Sequence, residues 1–278
     1  MKLLMNLLKT PMFLIGITIF FGTILIALFA PLFYHVDIVT RVGMPYMPPG
    51  REHLLGTNHL GVDMLSLLIK GLGSSLYVGF MAGTIATVTG TLLGIYGGFK
   101  GGWQDDLITL ITNLFLVIPS FVVLILISSS LKEGRSLTLI AAIIGATAWT
   151  WSARAVRAQS ASLKSRDHIA LARVNGEGTL QIIIKQILMY LFSYVFMVFI
   201  MQTASGILSE AAISMIGLGP YDTVSLGTIL NEAMRNEALS DGAWWAFIPP
   251  MVLITLIVFA LNFINTSMEG VFNPRLRK

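Results

Sequence analysis

The sequence predicts an all-α integral membrane protein with six transmembrane helices, and three observations carry that prediction. Hydrophobic residues fill 55% of the 278 positions and charged residues only 12%, whereas an ordinary soluble domain carries roughly 25% charged residues. Mean hydropathy is +0.80. The apolar residues also gather into six runs of about 20 residues, the length a helix needs to cross a bilayer. The same composition excludes other classes. A net charge of +4 on so apolar a chain is not that of a disordered segment. The basic residues are scattered between apolar runs, so the pI of 9.4 does not describe a nucleic-acid surface. There is no cysteine, hence no disulfide framework, thiol nucleophile or thiolate metal site.

The six runs cover approximately residues 12–34, 72–96, 107–131, 137–160, 187–208 and 247–268. The first follows Lys2 and Lys9 as a signal peptide would. Its apolar stretch is longer than a signal core and no small-x-small site ends it, so it reads as a retained helix. Orientation follows Lys and Arg. With the N-terminus in the cytoplasm, twelve of the 18 basic residues lie inside, half of them between positions 154 and 185. Both termini are then cytoplasmic and the protein sits in the cell membrane. The expected organisation is an N-terminal end and first helix over 1–36, an external loop over 37–70, and a five-helix core over 71–278. That core carries an inside segment at 161–186 and an outside segment at 209–246.

Within the second run, Gly79, Gly83, Gly90 and Gly94 fall within about 60° of one another at 100° per residue. Such a stripe lets another helix approach closely. It serves either packing within this chain or contact with a second membrane subunit or moving helix. Asn113, Gln202, Asn262 and Asn265 are polar positions inside runs, suited to a substrate path or to interhelical hydrogen bonds. Ser205, beside Gly206, is a small-residue packing feature and, with Asn113 and Gln202, a candidate for the path. All four histidines lie in linkers, so no run carries a histidine base near a serine. His59 and Asp63 at i, i+4, with His53 nearby, have a spacing that can hold a metal but is more commonly a solvated loop. No phosphate-binding glycine loop is present, and the centres of the runs carry no charge. Energy for any transport therefore comes from outside the chain.

The inside segment reads SLKSRDHIALARVNGEG over 162–178. Ser165 or Asp167 can cap a short helix through Ile169, Ala170, Leu171, Ala172 and Arg173, which Asn175 and Gly176 can end. A two-turn helix is marginal alone in water and needs a surface to dock on.

At these residues the chain resembles the second permease of the oligopeptide, dipeptide and nickel family of ABC importers, whose corresponding loop docks in an ATPase subunit. HLLGTNHLGVD over 53–63 is similar to the family's H-x-L-G-T-D-x-x-G-R-D, with Asn58 and Val62 in place of Asp and Arg. Gly101, Gly102, Trp103 and Asp105 match its inside turn, and Ile118–Pro119–Ser120 its third span. SEAAISMIGLG over 209–219 and NPRLR over 273–277 match the end of the fifth span and the tail. Ala170 and Leu171 stand where the family prefers Glu and Ala, and Met189 where Pro is common.

The resemblance implies the type I importer permease fold with a cytoplasmic coupling helix. It also implies a permease partner, two ATPases that hold ATP and magnesium, and an external substrate-binding protein. This chain would hold no cofactor. Arg166, Asp167, Ile169, Ala170, Leu171, Ala172, Arg173 and Gly176 become the expected ATPase-coupling residues, with Ala172 and Gly176 foremost. GLGPYDTVSLG over 217–227, followed by Trp244, Trp245, Pro249 and Pro250, looks like an oligosaccharide-importing branch. Oligosaccharide, peptide and nickel-chelate import stay open. The two tryptophans suit an interfacial belt or a sugar platform. A structural or assembly membrane protein is the rival class, and it would need no docking helix.

Overall fold

The computed structural model describes residues 7–131 and 134–272; the NPRLR tail, Lys2 and Lys132 lie outside them. Helix α1 (Pro11–Phe33) opens with Pro11 in its first turn, where a missing N–H costs nothing. Helix α2 (Met64–Lys100) starts at Asp63, whose carboxylate accepts from the Ser66 amide. At 37 residues it is about 55 Å long, well beyond the hydrocarbon core. Helices α3 (Trp103–Val117) and α4 (Ser120–Ser130) follow, then α5 (Leu137–Leu163), capped by Ser136. The short α6 (Asp167–Val174) precedes one long helical stretch, Thr179–Leu218. Its main part is α7 (Met189–Ile213), flanked by π-helical segments Ile183–Leu188 and Ser214–Leu218. Last come α8 (Leu226–Arg235), closed by a Ser225–Thr228 capping box, and α9 (Ile248–Phe272).

Five of these stretches are long and apolar enough to cross a membrane. The third expected run, 107–131, is not one straight helix: α3 and α4 meet at a 77° bend. Pro119 explains it, because proline lacks an amide donor and forces Ile118 to extended backbone, φ −83 and ψ 122. The pair counts as the sixth crossing only when taken together. The outside linker expected from 209 begins later, since the helix continues to Leu218 and α8 occupies part of the rest.

The stripe on α2 is where the bundle is tightest. A Cβ on Gly83 would lie 2.9 Å from the Thr203 amide nitrogen, and one on Gly79 3.0 Å from the Thr203 carbonyl oxygen. On the next turns, Gly90 presses on Ser152 and, at 2.7 Å, the Trp149 carbonyl, while Gly94 meets the Ala153 carbonyl at 2.6 Å. All four therefore face helices of this same chain, two against α7 and two against α5. Helix α1 lies outside this core and packs on α9, its Gly16 against Ala260.

At the α8 end of the bundle sits a fully buried carboxylate. Glu210 accepts from the hydroxyls of Ser75 (3.2 Å), Ser214 (2.6 Å) and Ser225 (2.5 Å). Nearby, the segment before α2 is tied down by its own side chains. Asn58 Oδ1 accepts from the amides of Leu60 and Val62, each at 2.9 Å, so the family's aspartate is replaced without loss of the turn. Trp245 is not an interfacial belt residue: it is 7% exposed, and its indole N–H donates to the Thr57 carbonyl at 3.1 Å. Its partner Trp244 remains on the surface.

Leucine at position 83 or 90 should therefore destabilise the detergent-solubilised chain by about 3 kcal/mol or more, the upper end of overpacking costs. Val88→Leu, on the outer surface of the same helix, should leave the melting temperature unchanged. Thermal unfolding of the three variants in detergent is the measurement.

Candidate coupling face and translocation path

Helix α6 has two apolar faces with different fates. Ile169 and Ala172 are buried against Ile95, Phe99, Val156 and Leu163, the ends of α2 and α5. Leu171 and Val174 point away from the bundle, 63% and 84% exposed, with Ala170 exposed beside them. This corrects the expectation that Ile169 and Ala172 meet an ATPase: their side chains attach the helix to the membrane core. Arg173 turns back as well, its guanidinium 5.3 Å from the centre of the Phe99 ring. The helix is not capped by Ser165 or Asp167; Arg166 holds the N-cap position without a side-chain bond, and Asp167 occupies the first turn. Arg166, Asp167, Ala170 and Leu171 are therefore the expected coupling residues whose side chains are open to a partner.

The other end of α6 is built from the backbone. The Glu177 amide donates to the Ala172 carbonyl and the Gly176 amide to the Arg173 carbonyl, both at 3.0 Å. These are the two bonds of a Schellman cap, with Gly176 at φ +78 in the left-handed position. Nothing crowds a Cβ there, so what Gly176 contributes within this chain is its left-handed backbone.

Next to α6, the Gly101–Gly102 turn brings Asp105 to Arg157 of α5. The pair is bidentate, Nε to Oδ1 at 2.5 Å and Nη2 to Oδ2 at 2.7 Å. Arg154, one turn earlier, donates to Asn113 Oδ1 at 2.6 Å. Asn113 is thereby separated from the other two path candidates.

Those two do converge. Gln202 and Ser205 line a cavity of about 400 Å³ together with Ser209 of α7, Thr147 and Trp151 of α5, and Ser120 at the bend. Residues 202, 205 and 209 sit at i, i+3, i+7 on one helical face, a signal present in the sequence that would have added Ser209. Asn262 and Asn265 lie on α9, away from this cavity. Asn262 donates back to the Val258 carbonyl of its own helix. The histidines diverge: His53 faces Asp63 at 3.7 Å, and His59 faces Glu232 at 4.0 Å. Burial pushes the His59 imidazole down and the Glu232 carboxyl up, so both move toward their neutral forms.

A multi-span bundle with a cavity at a broken span and a short helix offered beyond its end fits a transport subunit driven from outside itself. The chain matches the family described as binding-protein-dependent transport system inner membrane component over residues 90–278. It belongs to that family, the permease subunits of ABC importers, and is not itself an enzyme. Similar proteins include the oligopeptide transport system permease protein OppC of Mycobacterium tuberculosis, 29% identical over 83% of this chain and 78% of that protein. OppC of Bacillus subtilis is 28% identical over 95% and 86% of the two chains. A putative peptide transport system permease protein of Brucella suis is 29% identical over 98% and 90%. Membership places the chain in the inner membrane and implies, in general terms, a partner permease, ATPase subunits and a binding protein.

Gly176→Val should cost about 1–2 kcal/mol of local stability, the strain of a left-handed backbone on a non-glycine residue. Limited proteolysis of membranes should then cut between α6 and Thr179 faster than in the parent, with the membrane spans still inserted.

Proposed function

We propose that this chain forms one half of the path of an ABC importer for short peptides. In this reading, α6 is its contact with an ATPase, and both termini and α6 lie in the cytoplasm. The observation that carries it is the division of α6. One face is spent on the membrane core, leaving Ala170, Leu171 and Val174 as an apolar face too exposed for a lone loop. The names of the relatives support peptides over oligosaccharides. The burial of Trp245 also removes one aromatic face that a sugar could use. ATP and magnesium would be held by the ATPases, and this chain would bind neither.

Cells producing this chain with a homologous permease, the ATPases and the binding protein encoded beside it should accumulate labelled tripeptides. Leu171→Asp should lower that uptake at least about tenfold, as loss of a central docking residue does. It should also abolish co-purification of the ATPases while the permease pair stays together. Uptake of oligosaccharides in place of peptides would replace the substrate. A cysteine at Lys164 should be protected from impermeant thiol reagents in intact cells and react after lysis; reaction in intact cells would invert the orientation.

A further inference from the structure

Two polar groups of the cavity wall are held as hydrogen-bond acceptors. Gln202 is only 6% exposed, and its amide nitrogen is fully used, donating to the Ala148 carbonyl at 2.8 Å and to Ser152 Oγ at 2.5 Å. Those bonds fix the orientation of the amide. Its oxygen, Oε1, takes no donor among the described residues, yet it is not sealed in the packing, and the residue lines the cavity. An amide oxygen can only accept. Thr147, on the facing helix, has spent its proton on the carbonyls of Ile143 and Ile144, both at 3.0 Å, so it too offers lone pairs. None of the lining residues carries a charge. Two groups of this wall are thus fixed as acceptors, beside the hydroxyls of Ser120, Ser205 and Ser209 and the indole of Trp151, which can donate, and an acceptor held in an apolar wall is costly unless water or cargo pairs it.

We infer that Gln202 Oε1, seconded by Thr147, reads hydrogen-bond donors on the cargo, accepting from an N–H of an amide or an ammonium group. The inference rests on the peptide reading for the identity of the cargo, but the preference of the wall can be measured without any peptide.

The chain has no cysteine, so Ser205→Cys places a single thiol of this subunit in the cavity. In membranes holding the assembled transporter, its modification by three methanethiosulfonates is followed by mass spectrometry of this chain. One reagent carries an ammonium group, one a trimethylammonium group with no N–H, and one a sulfonate; each rate is normalised to a free thiol in solution. The ammonium reagent should exceed the trimethylammonium reagent by roughly three- to tenfold, the span of one net hydrogen bond.

Adding Gln202→Leu should erase the advantage of ammonium over trimethylammonium. Adding Gln202→Glu, which keeps an acceptor, should raise both cations over the sulfonate by roughly a further tenfold. Equal normalised rates in the Ser205→Cys chain, or an unchanged order in either double variant, would overturn the inference. Peptide uptake by the parental complex is scored alongside. The labelling order without peptide uptake keeps the wall's preference and removes the peptide reading, whereas peptide uptake without the order removes the preference.

Discussion

The structure depends on how closely α5 and α7 approach α2. In lipid, apolar burial gives helices little reason to prefer one another over acyl chains, so association rests on close packing and hydrogen bonds. Helix α2 supplies the closeness by omitting side chains where its neighbours' backbones arrive. The Gly83 position lies against the backbone of Thr203, and the Gly94 position against that of Ala153. The neighbours reciprocate, Gly145 of α5 meeting the Ala82 carbonyl at 2.9 Å. With one face of each helix committed to α2, the opposite faces of α5 and α7 turn toward the bent pair. Those faces carry Thr147, Trp151, Gln202, Ser205 and Ser209. The cavity thus lies on the side of α5 and α7 away from the glycine contacts.

Both ends of the bundle are fastened to the same helix, by different chemistry. At one end, Ser75 of α2 donates to Glu210 and accepts from the Leu226 amide at 3.1 Å, while Ser225 donates to Glu210 and caps α8. A carboxylate removed from water is expensive unless it is hydrogen-bonded, and here every bond it makes joins α7 to another turn, helix or cap. At the other end apolar packing joins the Arg157–Asp105 ion pair and the bond from Ser160 Oγ to the Ile95 carbonyl. Ile169 and Ala172 of α6 press on Ile95 and Phe99, and Arg173 lies over the Phe99 ring. The polar end tolerates little rearrangement, because each displaced hydroxyl leaves an oxygen of the carboxylate unpaired.

The spans were legible in the sequence because hydropathy and length decide them, and the quoted motifs were legible because they are contiguous. What the sequence left hidden depends on which of two equivalent faces is used. Ile169 and Ala172 are spaced i, i+3, but so are Leu171 and Val174, and periodicity does not say which pair meets the bundle. Trp245 suited a membrane belt or a sugar platform, and its burial with the indole N–H on the Thr57 carbonyl fits neither. The glycine stripe announced a close contact without naming its partner. Glu210 lies near a span end with Ser214 four residues on along the same helix, but Ser75 and Ser225 come from two separate stretches, and nothing in their spacing links them to it. Asn113 and Gln202 looked alike as polar residues inside apolar runs, yet Arg154 claims one and the cavity the other.

The bend at Pro119 ties these threads together. A run of apolar residues with one proline reads as a single span, since a membrane helix can absorb a kink when neighbours satisfy the freed backbone groups. Here the chain turns by 77°, and the residues at the break, Leu116 before it and Ser120 after it, are part of the cavity wall. Irregular backbone at membrane depth is tolerated where protein or a water-lined space covers it. The local rule that fails, an unbroken helix for an unbroken apolar run, fails at the place where polar groups need an opening, which is where departures from a consistent pattern are expected to be functional.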